Sequence, residues 1–274
     1  MSTAALAAAI ARLQAAGVDS PRLDAELLLA EATGSDRTAV VAQTIEPSSE
    51  QLEQFEQLVA RREAREPLAY IVGRKGFRRI ELAVDPRVLI PRPETELLVA
   101  VAKVDRPCGI LDVATGSGAV ALALADELPD ATIAAADISE DALAVARTNA
   151  ERLGVAGRVS FHRSDLLDQI SGTFDAIVAN LPYVTTAELA ELQPEIARFE
   201  PTLALAGGED GLDLVRRLAA DAPARLKPAG LLALEIGAGQ AEETERILRE
   251  NGFVRTEIHN DLAGHGRVVS GHTQ

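Results

Sequence analysis

The sequence has a single cysteine, Cys108, and only four histidines in 274 residues. One cysteine excludes an internal disulfide, and the histidines show no spacing with cysteines or acids that would build a zinc site. No apolar stretch approaches the roughly 20 residues of a membrane span, and the N-terminal MSTAALAAAIARLQ lacks a basic leader and a cleavage site. We therefore expect a cytoplasmic protein with no membrane anchor and no bound metal.

Basic residues are also scarce, because 27 Lys and Arg stand against 42 Asp and Glu, a formal net charge of -15. This balance argues against a broad nucleic-acid-binding face, which normally rests on clustered Lys and Arg. It favours a protein or small-molecule substrate. One stretch is locally basic, and we interpret it as a solvated helix end and hairpin, with a docking patch for an acidic or ribosome-associated partner as the alternative. Its members are Arg61, Arg62, Arg65, Arg74, Lys75, Arg78 and Arg79.

The N-terminal quarter has a helical pattern. From Thr3 to about Arg65, apolar residues recur at spacings of three and four, which predicts a small helical domain over residues 1–68. Between Tyr70 and Val84 the pattern changes to a two-residue alternation around Gly73 and Gly76. This change predicts a β-hairpin, so residues 69–86 are assigned to a hairpin linker.

The remaining residues, 87–274, alternate between short apolar runs and helical segments. The predicted strands are Ile110 to Ala114, Thr132 to Ala136, Val159 to His162, Ala176 to Ala179, Leu231 to Ile236, Phe253 to Ile258 and Gly266 to Ser270. Continuous apolar strands separated by helices indicate a doubly wound α/β domain with a mostly parallel seven-stranded sheet. The last two strands leave no room for a helix between them, which predicts an antiparallel pair at the sheet edge.

A glycine loop follows the first of these strands. In ILDVATGSGAVALALA, Gly116 and Gly118 allow a tight turn and the close approach of a ligand to the backbone. About twenty residues later the second strand ends at Asp137, whose oxygens could accept both ribose hydroxyls. A plain strand-to-helix turn, with Asp137 capping a helix near Ser139, is the simpler alternative. Dinucleotide enzymes and S-adenosylmethionine methyltransferases share this loop, so it does not identify the ligand.

Two more residues follow the third strand. Asp165 lies where an adenine ring would sit in a switch-point crevice, and Leu166 would offer the ring an apolar wall. A simple turn acid explains Asp165 equally well.

The fourth strand stops at Asn180, at the start of Asn-Leu-Pro-Tyr. The Asn180 oxygen and the Leu181 carbonyl could accept the two N–H protons of a planar amide or exocyclic amine and aim its nitrogen at an electrophilic methyl group. Pro182 restricts Leu181 to extended geometry, and Tyr183 could stack on the planar group. The tetrapeptide alone could be a simple loop, so this interpretation depends on its combination with the glycine loop and Asp137.

With these residues the chain resembles the release factor glutamine methyltransferases, which methylate the glutamine of the Gly-Gly-Gln motif in class I peptide chain release factors. The resemblance covers nearly the whole chain, including EPLAYIVGRKGF, VLIPRPETE, RFEPTLALAGGEDGLD and DLAGHGRVV. It implies a class I methyltransferase that uses S-adenosylmethionine without a metal, has release factors as partners, and carries a loop over Pro91 to Glu96 that closes on the site. The implied cofactor contacts are Ala114, Thr115, Gly116, Ser117, Gly118, Asp137, Asp165, Leu166 and Asn180. The implied catalytic and substrate-binding residues are Asn180, Leu181, Pro182 and Tyr183.

One residue departs from the family pattern, which usually has Asn-Pro-Pro-Tyr. Leu181 takes the place of the first proline, so the carbonyl is retained while a fixed φ is lost. Asn-Leu-Pro-Tyr also resembles the motif of rRNA adenine dimethylases, so an adenine-N6 methyltransferase acting on nucleic acid is the alternative function. A module that binds S-adenosylmethionine without turnover is a further one. The acidic composition and the extended resemblance favour a protein methyltransferase with no stable nucleic-acid partner, and we expect it to be a monomer.

Overall fold

The computed structural model of the protein describes residues 2–103 and 108–274. The chain forms two compact units. One consists of the chain up to Arg74 together with Gln193–Phe199, and the other of Lys75–Leu192 together with Glu200–Gln274. The segment Gln193–Phe199 therefore lies with helices that are far from it in the sequence. Within the described ranges, no helix combines the length and the apolar character that a membrane crossing requires.

The first unit is helical, as the spacing of its apolar residues predicted. Its helices are α1 (Ser2–Ala15), α2 (Pro21–Thr33), α3 (Arg37–Val41), α4 (Ser49–Glu63), α5 (Leu68–Val72) and, from the later segment, α9 (Pro194–Phe199). The helices α1, α2 and α4 pack on one another around Leu13, Leu28, Leu29, Phe55 and Val59, all of them buried. Burial of this apolar stripe stabilises helices that would be marginal in isolation.

Arginines of the basic stretch are paired within the first unit. Arg62 is buried and donates hydrogen bonds to Asp24 at 2.7 Å and to Glu195 of α9 at 2.9 Å. Arg65 holds the same Glu195 through two hydrogen bonds of 2.6 and 2.5 Å. For Arg62 and Arg65, neither the solvated helix end nor the docking patch is correct, since both charges are used to hold α9.

The predicted hairpin is present but shorter than expected. The strands β1 (Arg74–Phe77) and β2 (Ile80–Ala83) form a two-stranded sheet. The expectation of extended chain from Tyr70 was wrong for its first residues, because Leu68–Val72 is the helix α5. Gly73 ends that helix with a φ of 72°, a left-handed conformation that glycine adopts without strain.

The second unit contains the remaining elements. Its strands are β3 (Gly109–Val113), β4 (Thr132–Asp137), β5 (Val159–Arg163), β6 (Phe174–Asn180), β7 (Val184–Thr185), β8 (Ala206–Gly208), β9 (Leu226–Glu235), β10 (Val254–Asn260) and β11 (Gly266–His272). Its helices are α6 (Thr95–Ala102), α7 (Ala119–Glu127), α8 (Glu140–Arg152), α10 (Asp213–Asp221) and α11 (Ala241–Glu250). Short 3₁₀ turns lie at Ala156–Arg158, Glu188–Glu191, Thr202–Ala204 and Ala222–Arg225.

Seven of these strands form the predicted doubly wound sheet, in the order β10-β11-β9-β6-β3-β4-β5. The strand β11 is antiparallel to both of its neighbours, and the other pairs are parallel. Central residues such as Ile110 and Ile177 are fully buried, as expected for strands covered on both faces. The chain order reverses between β3 and β6, and in such sheets this switch point opens a crevice beyond the carboxyl ends of the strands.

Candidate functional site

A cavity of about 580 Å³ lies at the carboxyl edge of the sheet in the second unit. The predicted site residues that line it are Ala114, Thr115, Gly116, Ser117, Asp137, Asp165, Leu166, Asn180, Leu181 and Pro182. Pro91, Arg92 and Thr95, from the loop that was expected to close on the site, also line it. The predicted residues Gly118 and Tyr183 are not part of its wall. The fold thus brings most of the predicted positions to one cavity from separate strand ends.

The two glycines of the loop have different functions. Gly116 has a φ of 55°, and a Cβ built on it would meet no atom within 4 Å, so the space above this residue is open. Gly118 has a φ of 85°, and a Cβ there would lie 2.9 Å from Cδ1 of Leu122. Gly116 therefore leaves room for a ligand, whereas Gly118 allows α7 to begin close to the loop.

Asp137 is tied to the glycine loop. Its Oδ2 accepts the backbone N–H of Gly116 at 2.9 Å, and its Oδ1 accepts that of Ser139 at 2.9 Å. The side chain of Ser139 caps α8 by accepting the N–H of Ala142. Burial raises the pKa of Asp137, and the backbone donors lower it. A carboxylate oxygen accepts more than one hydrogen bond, so each Asp137 oxygen keeps capacity for a ligand hydroxyl.

Asp112 belongs to the same cavity wall, although the sequence assigned it no function. Its Oδ2 accepts the hydroxyl of Thr115 at 2.6 Å and the N–H of Ala121 at 3.1 Å. Burial raises the pKa of Asp112 to about 7. The signal in the sequence that could have identified Asp112 as a site residue is an acidic side chain inside an apolar strand, directly before a glycine loop.

Asn149 is a second residue that sequence reasoning missed. From within α8, its Nδ2 donates to the carbonyls of Ser117 and Ala83, each at 3.0 Å, while its Oδ1 accepts the N–H of Ala83 at 2.7 Å. This buried amide joins the glycine loop to β2. A polar residue in a helix resembles a surface position, so the sequence offered no signal for this contact.

The turn after β5 is held by its own hydrogen bonds. Leu166 has a φ of 47°, and its carbonyl accepts the Ser164 hydroxyl at 2.9 Å. The Asp165 carboxylate lies 3.0 Å from the guanidinium of Arg217 in α10, which also lines the cavity. The turn thus presents a buried apolar side chain, Leu166, next to a charged pair at the cavity wall.

Asn180 ends β6 between β3 and β9, and in the parallel pair with β9 it is the register partner of Glu235. Its Nδ2 donates a hydrogen bond to Oγ1 of Thr95 at 3.2 Å. In the described ranges, no donor is found for Oδ1 of Asn180, which leaves this acceptor for a ligand. Thr95, the first residue of α6, is another position that the sequence did not single out.

The GGEDG turn, Gly207 to Gly211, packs closely on the motif Asn180–Tyr183. A Cβ on Gly207 would lie 2.7 Å from the Pro182 carbonyl oxygen, and one on Gly211 would lie 2.2 Å from the carbonyl oxygen of Tyr183. Gln240 Nε2 donates to the same Tyr183 carbonyl at 3.2 Å. Glycines thus let a second backbone pack directly on Asn180–Tyr183, and Gln240 fixes its last carbonyl.

Tyr183 lines a second cavity of about 440 Å³ on the other side of this turn. Its wall includes Val184, Glu188, Asp210 and Gln240. The motif Asn180–Tyr183 therefore contributes to both cavities, with Asn180, Leu181 and Pro182 at the first and Tyr183 at the second.

The loop before α6 is anchored by an ion pair. Arg92 donates to Oε1 of Glu200 at 2.5 Å, and the Ile90 N–H points at Oε2 at 3.4 Å. Burial raises the pKa of Glu200, while the charge of Arg92 lowers it. Glu200 is nearly inaccessible, so the pair holds the loop and the start of α6 along the cavity.

Two family models match the chain. Residues 4–73 match the PrmC N-terminal domain, and residues 93–197 match the methyltransferase small domain. The described residues contain no cluster of three or more His, Cys, Asp and Glu side chains that could hold a metal ion.

Curated relatives match over nearly the full length. The release factor glutamine methyltransferase of Rhodospirillum rubrum is 45% identical over 94% of this chain and 81% of its own length. That of Moorella thermoacetica is 44% identical over 96% of this chain and 95% of its own. Among solved structures, a T. thermophilus 16S rRNA methyltransferase in complex with AdoMet and guanosine is similar in fold, with a TM-score of 0.54 and 18% identity over 73% of this chain and 50% of that one.

Proposed function

The chain belongs to the family of release factor glutamine methyltransferases, and on this premise we propose that it methylates the side-chain amide nitrogen, N5, of the Gly-Gly-Gln glutamine in class I peptide chain release factors. The methyl donor is S-adenosylmethionine, and the second product is S-adenosylhomocysteine. The observation that carries the proposal is that Asn180 lies on the same cavity as the glycine loop with its amide oxygen available.

The cavity residues fit the methyl donor. The open space above Gly116 and the hydrogen-bonding capacity of Asp137 suit a ribose beside the loop. Leu166 offers an apolar surface for the adenine, next to Asp165. The Asp112 carboxylate, with only Oδ2 engaged by Thr115 and Ala121 in the described residues, suits the positive charge of the methionyl ammonium.

The motif Asn180–Tyr183 would hold the glutamine. Oδ1 of Asn180 and the carbonyl of Leu181 accept the two amide N–H protons, which directs the nitrogen lone pair toward the methyl group. Leu181 serves through its backbone oxygen, so the side-chain difference from the usual proline leaves this function intact. Pro182 holds the direction of that carbonyl, and Tyr183, which lines the second cavity, would offer the amide a flat surface from that side.

When bound, S-adenosylmethionine would supply the methyl group from its sulfonium, with the C–S bond breaking and its electron pair going to sulfur as the N–C bond forms. The methylated amide would then release one proton to bulk solvent. Asn180 and Leu181 orient the nitrogen for this in-line displacement. The apolar walls formed by Leu181 and Pro182 limit water at the reacting atoms, which helps because positive charge on sulfur disappears during transfer. The reaction as written uses no metal.

Residues 1–68 are proposed to recognise the release factor, and residues 87–274 to catalyse methyl transfer. Residues 69–86 are proposed to link these two parts. We further propose that the protein works in the cytoplasm, because release factors act on ribosomes. We also propose that it is a monomer and has no stable nucleic-acid partner. The adenine-N6 alternative that Asn-Leu-Pro-Tyr suggested receives no support from the curated relatives. These proteins match most of the chain and are named release factor glutamine methyltransferases.

The test is label transfer from S-adenosylmethionine carrying a radioactive methyl group. Incubation with a release factor that carries Gly-Gly-Gln should label the factor, with the label found on the glutamine by mass spectrometry, whereas a matched factor with Gly-Gly-Ala should stay unlabelled. Equal label in both factors would refute the proposal. Label in RNA or DNA, with none in the release factor, would decide for the adenine alternative.

A further inference from the structure

Glu235 is a buried carboxylic acid behind the proposed catalytic asparagine. It ends β9, where it is the register partner of Asn180, and it is only 1% exposed. Among the described residues, no donor lies within hydrogen-bonding geometry of either Glu235 oxygen. An unpartnered buried carboxyl group is costly, so its retention beside the site requires an explanation.

Thr95 lines the cavity, and its hydroxyl is close enough to Glu235 to affect that carboxyl group. It is 4% exposed and begins α6, which packs on β6 and β9. Its Oγ1 accepts the hydrogen bond from Nδ2 of Asn180 at 3.2 Å. A threonine hydroxyl has one proton, and when its oxygen accepts from Asn180 that proton must point to another acceptor.

The Glu235 carboxyl is the acceptor that Thr95 can reach. The net pKa of Glu235 is about 7, above its ordinary value, because burial raises it more than the nearby Thr95 hydroxyl lowers it. The Thr95 hydroxyl and the Glu235 carboxyl nevertheless fall outside strict hydrogen-bonding geometry in the structure. The charged groups around Glu235 are Arg267 of β11 together with Arg92 and Glu94 of the loop before α6. A small rotation about the Thr95 side chain would complete the order Asn180 N–H to Thr95 oxygen, and Thr95 O–H to Glu235.

We propose that Thr95 and Glu235 are positioning residues that keep the Asn180 amide nitrogen turned inward and its oxygen turned toward the cavity. The proposal deepens the function argued above and rests on it. An asparagine amide can rotate by half a turn, because its oxygen and nitrogen have nearly the same size. A flipped Asn180 would present N–H groups to the N–H groups of the glutamine, which removes an acceptor and adds a repulsion.

Glu235 prevents this flip by fixing the direction of the Thr95 proton. In its ionised form Glu235 is an acceptor only, so it draws the Thr95 hydroxyl proton and leaves the hydroxyl oxygen to face Asn180 as an acceptor. Oδ1 of Asn180 is then excluded from that contact, since two acceptors would face each other. The anchoring of the preceding loop through Arg92 and Glu200 holds Thr95 at this position.

The test compares Thr95→Val, which keeps the shape and removes the hydroxyl, with Thr95→Ser, which keeps the hydroxyl. We expect Thr95→Val to lower kcat for release factor methylation by about tenfold or more, with the Kd for S-adenosylmethionine unchanged, and Thr95→Ser to keep most of the activity. Glu235→Gln should also lower kcat, because its side-chain amide can donate to Thr95 and free the hydroxyl proton. Parent-like kcat in Thr95→Val, or an equal loss in Thr95→Ser, would overturn the proposal.

A double-mutant cycle separates positioning from general stability. In an Asn180→Ala background, Thr95→Val should cause no further loss of kcat, because Thr95 acts only through Asn180. An additive loss would refute this. If Thr95→Val does not fold, the same cycle with Glu235→Gln decides.

A measurement without substrate keeps this inference separate from the proposed function. The side-chain NH₂ signals of Asn180, identified by their loss in Asn180→Ala, should be protected from solvent exchange in the ¹⁵N spectrum of the parent and lose that protection in Thr95→Val. Unprotected signals in the parent would refute the amide orientation. A parent that has protected signals but methylates no release factor would instead refute the proposed function.

Discussion

Asn180 donates a hydrogen bond from Nδ2 to Oγ1 of Thr95 at 3.2 Å, and this contact leaves the oxygen of the Asn180 amide for the cavity. The two residues are 85 positions apart in the sequence and meet because α6 packs against the strand that Asn180 ends. The orientation of the Asn180 amide in the proposed glutamine site therefore depends on the hydroxyl group of a residue in the helix α6.

Replacing Asn180 by alanine should affect turnover far more than cofactor binding. The change removes an oriented acceptor, and losses of such groups typically cost on the order of a hundredfold or more in rate. Methyl transfer to the release factor gives kcat, and calorimetric titration with S-adenosylmethionine gives Kd. A Kd that rises as steeply as kcat falls would contradict the assignment of Asn180 to the methyl acceptor.

Asp137→Ala should mainly weaken the binding of S-adenosylmethionine. Hydrogen bonds to a charged group contribute roughly 1.5–3 kcal/mol, which corresponds to about a tenfold to hundredfold rise in Kd. Asp141→Ala is the matched control, because Asp141 is an exposed acid in the first turn of α8 and does not line the cavity. Unchanged cofactor affinity in Asp137→Ala would rule out the ribose assignment.

Gly207→Ala should disturb the motif without adding any polar group. The new Cβ would lie 2.7 Å from both the Pro182 oxygen and the Cα of Tyr183, so one backbone must move. Overpacking of this kind costs about 1–3 kcal/mol, and we expect a lower melting temperature together with a lower kcat. Gly157→Ala serves as the control, since a Cβ there meets nothing within 4 Å. Equal behaviour of the two variants would show that the approach of the two backbones is not required.

The stability of the ligand-free protein should depend on pH through Asp112. Burial raises its pKa to about 7, above the value of about 3.9 in an unfolded chain. The folded state therefore binds a proton that the unfolded state has released. This contribution is fully present below about pH 4 and is lost as the pH rises through about 7.

Asp112→Asn removes this titration. Between pH 5 and pH 8 the parent loses about 2–3 kcal/mol through this group, and about 1 kcal/mol corresponds to roughly 2–4 °C for a domain of this size. The melting temperature of the variant relative to that of the parent should therefore rise by roughly 5–10 °C between these two pH values. Thermal unfolding of parent and variant at both pH values provides the comparison. A difference between the two proteins that stays constant with pH would show that Asp112 does not titrate in this range.

The sheet and the main wall of the cavity were predictable because their signals are local. Continuous apolar runs such as Ile110 to Ala114 indicate buried parallel strands, and Gly116, Asp137 and Asn180 follow strands whose ends meet at one edge. The helix at Leu68–Val72 was missed because its five residues are too few to show a helical period. The supporting residues were missed for another reason. Gly207, Asn149 and Thr95 act through contacts with segments that are distant in the sequence. The spacing of residue types along the chain does not indicate such contacts.

The position of Glu195 restricts how the chain can be divided. A fragment that ends at Arg74 would contain the helices α1 to α5 and yet lack the carboxylate that holds both Arg62 and Arg65. Arg62 would keep Asp24 as a partner, but Arg65 would lose the carboxylate that binds it, so we expect the isolated fragment to be less stable than the same helices in the full chain. Recombination that transferred the N-terminal helices alone to another enzyme would separate them from this carboxylate. The two pieces are therefore expected to be inherited together.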